Sequence, residues 1–350
     1  MNKISIKRKS QTTPDTLIND DGKANFGTFD KPFKKFNFPC FKCRTKLRKL
    51  INKYRLTEWE AVEVLTDKGI FLTVVYRFGL MDVHITTFFE KATEKLYVWD
   101  DMDVFLNRCH VAENLFDGNT SIYETKKAKT KITNHYEKNK AYCEGFSNNK
   151  KCGKIEFNFE LSRISKPSIV SVPIKKIYPV YTEKDLFKFE GSIKINGVDM
   201  ASGDSGLAII DDHRGYYPRK SGYDWLTAFS YKKINNEVTP FGLNITDFLL
   251  NENQYDYHEN GYWSKDSFNV LPEARFEKTK SHKYIKDQFN DIDLKYEIIA
   301  THKVSFNVFF FRIDYRLNFG KLNGFIKDKE NNVIEFKDDL SLSEYRYTVL

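Results

Sequence analysis

Ile155-Glu156-Phe157-Asn158-Phe159-Glu160-Leu161 alternates strictly, with four apolar residues on odd positions and three polar ones between them. Successive side chains of an extended chain point to opposite sides, so a period of two predicts a strand with one wet face. Val304, Phe306, Val308 and Phe310 repeat the pattern with Ser305 and Asn307. The apolar parity then switches to Phe311, Ile313, Tyr315, Leu317 and Phe319. A switch inside one long strand predicts a bulge near Phe309–Phe311, of the kind that curves barrel strands. Further strands are expected at Ile70–Tyr76, Val83–Phe89, Lys95–Trp99, Gly191–Ile195, Leu207–Ile210, Phe241–Leu250 and Val333–Phe336. Asn196-Gly197 is the best hairpin signal, because both residues tolerate the positive φ of a type I′ turn. Helical spacing is confined to Leu47, Leu50, Ile51 and Tyr54, with a weaker candidate at Asp103–Leu115. The class is all-β with few short helices.

Length and composition bound the rest. The chain has 350 residues, enough for one large domain or two ordinary ones. Mean hydropathy is −0.56, and no run approaches the ~18 apolar residues of a membrane-spanning helix. With Phe 30, Tyr 20 and Trp 4, disorder is excluded as well. The charge of +8 comes mostly from Lys, in clusters at Lys3–Lys9, Lys42–Lys53, Lys126–Lys131 and Lys138–Lys151. No recognition helix, zinc finger or RNA-binding motif accompanies them, so they read as solvated faces, and no nucleic-acid partner is expected. Met1–Ser10 is basic, but polar Gln11–Asp21 follows where a signal peptide needs an apolar core; the expected location is cytoplasmic. The five cysteines are odd in number and suit a reducing compartment. Cys40-x-x-Cys43 lacks a second half at usable spacing, so neither a metal nor a cofactor is expected.

One internal echo bears on organisation. Glu58-Trp59 precedes Phe78-Gly79-Leu80, and Asp224-Trp225 precedes Phe241-Gly242-Leu243. Duplication of a β unit would explain this, and so would coincidence. Pro167, Pro173 and Pro179 cluster where a boundary would fall. The expected division is a flexible N-terminus over 1–21, a β domain over 22–165 and a second over 166–350.

Three segments carry candidate chemistry. Gly203-Asp204-Ser205-Gly206 imitates a serine-protease nucleophile turn, but Leu207-Ala208 follows and no matched base exists; it reads as a polar loop. Asp211-Asp212-His213-Arg214-Gly215-Tyr216-Tyr217-Pro218, with Tyr223-Asp224-Trp225, follows an apolar strand directly. Asp beside His could orient an imidazole for acid–base work, while Asp212 with Arg214 could simply be a buried ion pair. Asn244 and Thr246 share a strand face, as do Glu259, Gly261 and Trp263. If that face points inward, Asn244, Glu259 and Trp263 line a cavity with the 211–214 cluster; if outward, it is solvated surface.

These motifs resemble a bacterial family, domain of unknown function 2804. The residues that carry the resemblance are Asp212–Pro218, Asp224-Trp225, Gly242-Leu243-Asn244, Glu259-Asn260-x-x-Trp263 and Glu344. Asn25, Lys35–Cys40, Glu58-Trp59, Glu190-Gly191 and Asn196-Gly197 agree more loosely. The match spans about Gly22 to Tyr347. The family is similar to carotenoid hydratase and AttH-like proteins, which implies two lipocalin-like antiparallel β-barrels, or strongly curved sheets, in tandem. It also implies addition of water to, or rearrangement of, apolar polyenes and polyketides in a barrel pocket without metal. Asp212-His213 matches the position of the relatives' acid pair near the domain junction, although many members carry Trp-Gly there. The expected function is a barrel pocket for an apolar small molecule. Asp212 and His213 are the candidate acid, and Arg214, Tyr217, Trp225, Asn244, Glu259 and Trp263 the ligand contacts. A non-catalytic lipid or isoprenoid binder is the alternative. An interaction protein whose basic patches meet an anionic partner is a third. Catalysis and oligomeric state stay open.

Overall fold

The 155–161 alternation becomes the middle of a strand, and its apolar residues Ile155, Phe157, Phe159 and Leu161 are all buried in one core. The computed structural model describes residues 9–104, 107–234, 237–249, 257–308 and 311–349. In chain order, the first sheet contains β1 Ser10–Gln11, β2 Gly27–Phe29, β3 Thr57–Leu65, β4 Gly69–Phe78, β5 Met81–Glu90, β6 Lys95–Val104, β7 Cys109–His110, β8 Thr120–Glu124, β9 Ala128–His135, β10 Lys140–Asn149, β11 Gly153–Arg163, β12 Ser168–Ile174, β13 Tyr178–Ile195 and β14 Val198–Gly215. The second contains β15 Lys220–Ile234, β16 Glu237–Phe248, β17 Gly261–Ser264, β18 Ser267–Val270, β19 Ala274–Lys278, β20 His282–Asp287, β21 Ile292–Val308, β22 Phe311–Lys327 and β23 Val333–Val349. One α-helix, α1, spans Lys46–Arg55. Pairing is antiparallel apart from the short β1–β2 contact. Each sheet curls into a half-barrel, and the two follow one another in the chain.

The sheets share a plan. In each, a four-stranded meander (β3–β6, β15–β18) is bonded through its first strand to the last strand of the same sheet, β14 or β23. Trp59 and Trp225 of the echo lie on those equivalent first strands. Its other half does not correspond: Phe78-Gly79-Leu80 turns the β4–β5 hairpin, whereas Phe241–Leu243 lies within β16. Strands β12–β14, which follow Lys166, hydrogen-bond into the first sheet. Within the stretch 1–21, Ser10 and Gln11 pair with Thr28 and Phe29, and Leu17 and Ile18 are fully buried.

Asn196 and Gly197 turn the β13–β14 hairpin at φ +51° and +81°, as the turn chemistry predicts. The 304–319 parity switch falls between two strands. Val308 pairs with Phe311, so β21 and β22 are two antiparallel strands rather than one, and Phe309 and Phe310, where the bulge was expected, lie outside the described residues. Gly203–Gly206 is strand rather than loop, with Gly203 opposite Gly191 and Gly206 opposite Phe189. No helix forms over the described part of 103–115, where β7 lies instead.

The packing resolves into layers. One core fills the first half-barrel, around Val62, Phe71, Phe157 and Ile210. Another fills the second, around Leu243, Ile245, Leu294 and Ile326. A third lies between the sheets, joining Leu72, Phe89, Leu186 and Ile209 to Trp225, Trp263, Phe319 and Leu342. A fourth holds the N-terminal segment against Tyr181 and Tyr216.

Candidate functional site

Alternation along β14 decides the site. Leu207, Ile209, Asp211 and His213 face the core between the sheets, while Ala208, Ile210, Asp212 and Arg214 face the first half-barrel. Register carries the division to neighbouring strands. Lys184 and Thr182 of β13 stand opposite Asp211 and His213, and Trp59 of β3 stands opposite His213. Directly opposed residues share a face. The His213 ring therefore lies flat on Trp59, centroids 3.6 Å apart and planes within 4°.

The second sheet supplies the other wall. Tyr223 and Trp225 come from β15, Thr246 and Phe248 from β16, and Glu344 from β23. Tyr217 enters from the link between β14 and β15, and Glu259 from the segment before β17. Between the walls remains a cavity of about 20 Å³, about what one water needs.

Lys184 organises the polar groups. Its Nζ donates to Glu259 Oε2 at 2.9 Å and to Asn244 Oδ1 at 3.0 Å, and stands 3.6 Å from Asp211 Oδ2. Trp225 Nε1 donates to the same Asn244 oxygen at 2.7 Å, and Asn244 Nδ2 donates to the Glu259 carbonyl at 3.0 Å. The ammonium lies 5.3 Å from the Trp225 ring centroid. Glu344 accepts from Tyr315 at 2.7 Å and from Tyr223 at 3.0 Å.

Burial and these charges set protonation. Burial pushes Asp211 up to about 7; the Lys184 charge opposes the rise, Glu259 and Glu344 add to it, and a hydrogen bond from Trp59 works against it. Its Oδ1 is buried without a hydrogen-bond partner. Burial alone would raise Glu259, but the Lys184 contact holds it below the ordinary range. Lys184 is raised by its acids against the effect of burial and stays charged. His213 is driven well down by burial, with the Lys184, Arg346 and Arg214 charges acting the same way, so it is neutral. Burial raises Tyr217, which keeps its proton. Tyr217 and His213 Nε2 are 2.6 Å apart. With the phenol protonated and the imidazole neutral, either can be the donor, according to which ring nitrogen carries the proton.

Not all the expected residues meet. Tyr217, Trp225, Asn244, Glu259 and His213 gather around Lys184 or the cavity. Asp212 and His213 are not brought together, because adjacent strand residues point to opposite faces. Asp212 is paired with Arg214 in the first half-barrel. Arg214 also donates to the Ala112 carbonyl at 2.9 Å and stacks 4.4 Å from the Phe36 ring centroid. Trp263 is fully buried in the core between the sheets, with Nε1 on the Lys166 carbonyl at 3.1 Å. The face bearing Asn244 and Trp263 thus points neither to solvent nor into a barrel, but to the other sheet. Lys184 and Phe248 were missed, as was a site role for Trp59 and Glu344; Asp211, Tyr223 and Thr246 stood in the candidate segments without an individual role. The available signal was Glu183-Lys184-Asp185, three charges inside an apolar-flanked strand. Among the described residues no group of three or more His, Cys, Asp or Glu is arranged to hold a metal ion.

The chain is all-β, built of two curled antiparallel sheets in tandem with a polar site between them. The chain belongs to the family described as Domain of unknown function (DUF2804), whose model matches residues 8–349. No curated protein matches it. Among solved structures it is similar to CghA, crystallised with Sch210972, at 7% identity and TM-score 0.47, covering 85% of this chain and 89% of that one. It is similar to kievitone hydratase from Nectria haematococca at 11% identity and TM-score 0.46, covering 83% and 88%. An AttH-like protein from Nitrosomonas europaea follows at 10% identity and TM-score 0.44, covering 85% and 93%.

Proposed function

We propose that the site between the sheets binds an unsaturated, largely apolar small molecule and delivers a proton to it from Asp211. The observation that carries this reading is a carboxyl raised to about 7 with a free oxygen, set among Trp59, Tyr223, Trp225 and Phe248. Near neutrality such a group is partly protonated, which suits it to both giving and recovering a proton. Aromatic residues on both walls, Trp59 on one and Tyr223, Trp225 and Phe248 on the other, can shield a cationic centre developing on an alkene carbon. The neutral His213–Tyr217 pair can position a water for addition, while in an isomerisation the Asp211 carboxylate takes back the proton. Asp211 here replaces the Asp212 of the sequence reading, since it shares the face of His213.

The cavity of about 20 Å³ is far smaller than the ~300–1,000 Å³ of sites for drug-sized ligands. A substrate must therefore displace side chains to enter, and a spacious lipid carrier is the weaker reading. The test begins with mass spectrometry of any small molecule released from the purified protein. Tryptophan quenching by isoprenoids and unsaturated polyketides follows, on the wild type and on Asp211→Asn, His213→Ala and Asp212→Asn. Quenching should survive in Asp212→Asn, and turnover of a bound compound should be lost in Asp211→Asn. Absence of quenching by every compound, or equal turnover in Asp211→Asn, would refute the reading.

A further inference from the structure

Helix α1 is built the wrong way round for a helix that packs on a protein. Its sequence is Lys46-Leu47-Arg48-Lys49-Leu50-Ile51-Asn52-Lys53-Tyr54-Arg55. The apolar residues recur at helical spacing, and such a stripe normally faces the core. Here Leu47 is 67% exposed, Leu50 52%, Ile51 40% and Tyr54 49%. The buried residue is Asn52, whose side chain donates to the carbonyls of Phe41 at 2.6 Å and Pro39 at 3.1 Å. Tyr216 donates to the Asn52 carbonyl at 3.1 Å, which fixes the helix to the end of β14. At 3.6 residues per turn, Asn52 lies opposite the apolar stripe, so the stripe points straight away from the body. Thr45 caps the helix by accepting from the Arg48 amide at 3.1 Å. The orientation is thus held at both ends.

The charges complete the pattern. The helix has five cations and no acid. Arg48 and Arg55 lie along one flank of the stripe, and Lys46, Lys49 and Lys53 along the other. Among the described residues none of the five is ion-paired. Leu80, 46% exposed, extends the apolar surface at the C-terminal end. It sits on the hairpin whose Gly79 approaches the Tyr54 carbonyl, where an added Cβ would stand 3.2 Å from the oxygen. At the other end opens a cleft of about 630 Å³ with Lys23, Lys42, Arg44 and Lys176 in its wall beside Asp21. Lys23 is ion-paired with Asp21 at 2.9 Å, while Lys42 and Arg44 bring further cations next to the start of the helix.

We propose that α1 docks this protein on an anionic phospholipid bilayer, with the Leu47, Leu50, Ile51 and Tyr54 stripe inserted and the flanking cations at the headgroups. An apolar stripe between two basic flanks is what an interfacial helix requires. The cations reach outward to phosphate while their aliphatic stems lie along the acyl boundary. Nucleic acid would use the cations and leave the stripe in water. A partner protein would need an acidic-rimmed groove to take the same helix. The bilayer satisfies both features at once. At ten residues α1 is too short to span a membrane, and no described helix is long and apolar enough to cross one. The docking does not depend on the reading of the site between the sheets.

The test is flotation of the full chain with vesicles of phosphatidylcholine alone and of phosphatidylcholine with phosphatidylglycerol. The protein should float with the anionic vesicles at low salt, more weakly at high salt, and hardly at all with the neutral ones. The triple variant Lys46→Gln, Lys49→Gln, Lys53→Gln should bind about a hundredfold more weakly, at about 1 kcal/mol per cation. Leu47→Asp with Leu50→Asp should abolish flotation while leaving thermal melting unchanged, because both side chains are exposed. Tyr54→Trp should show a blue-shifted emission on anionic vesicles. No flotation with anionic vesicles, flotation of the Asp variant equal to the parent's, or an unshifted emission from the Tyr54→Trp variant would each overturn the proposal. So would binding to a DNA duplex or to polyglutamate in the absence of vesicle binding.

Discussion

Lys184 brings a positive charge to a place where Asp211, Glu259, Glu63 and Glu344 all feel it. Removing one partner of a buried ion pair strands the other without water. Lys184→Met should therefore cost about 3–5 kcal/mol in urea denaturation, and adding Glu259→Gln should restore part of that. If the single variant is as stable as the parent, the ion pair is not what holds the two walls together. Asp211 makes a separate prediction through pH. Its folded value of about 7 lies above the ordinary 3.8, so between about pH 4 and about pH 7 the folded chain holds more protons at this group than the unfolded one. Its contribution to stability falls as pH rises through that window and stays low above it. Asp211→Asn removes the contribution, so the variant should gain on wild type from about pH 4 to about pH 7 in urea midpoints. A constant difference across that range would show that Asp211 is not raised. At this scale the sequence was half legible. A cluster of Asp, His, Arg and Tyr announced polar chemistry, and the period of two already implied that Asp212 and His213 diverge. What it could not show was Lys184, because the strand that lies beside β14 is set by tertiary pairing.

Strands were legible where one face is apolar and the turn chemistry is specific. The 155–161 alternation and the Asn196-Gly197 turn both came through, because each is fixed by local backbone physics. The 304–319 parity switch was ambiguous in principle: a bulge and a tight hairpin both reset which residues face the core. Which one occurs depends on whether the chain reverses. Strand β16 shows another element-level dependence. Gly242 pairs with Trp263 across the β16–β17 ladder, and a Cβ on Gly242 would stand 2.9 Å from the Trp263 ring. The indole covers the glycine and closes the core between the sheets, as aromatic residues do over strand glycines. Trp263→Ala should cost about 3–5 kcal/mol, measured by chemical denaturation. Gly242→Ala should be clearly destabilising in the parent and much less so in Trp263→Ala, since the clash has gone. Additive effects of the two changes would mean that the ring and the glycine do not act as a unit.

At the scale of the whole molecule, the same four-strand plan appears in both sheets, yet the two are not independent bodies. The core between them draws Ala61, Leu72, Phe89, Leu186, Leu207 and Ile209 from the first and Trp225, Phe229, Trp263, Leu317, Phe319 and Leu342 from the second. Phe89 and Phe319 stack across it with centroids 5.6 Å apart. The polar site lies in this same layer, with Lys184, Asp211 and His213 on one wall and Glu344 and Trp225 on the other. Cutting the chain between Gly215 and Lys220, where one sheet ends and the other begins, would strip both walls at once. Each half would expose a large apolar face together with charges that lose their partners: Lys184 its Glu259, and Glu344 the Lys184 charge. Exposed faces of that size are aggregation-prone. The chain should therefore unfold in one cooperative transition, by calorimetry and by tryptophan fluorescence alike. The fragments 1–217 and 218–350 should be insoluble or molten apart, and should recover the native near-ultraviolet circular dichroism when refolded together. Two separate transitions, or a soluble fragment with native-like tertiary signals alone, would mean that the layer between the sheets is a contact between finished domains. Either result would also remove the reason for placing a site there, since its walls would be free to part.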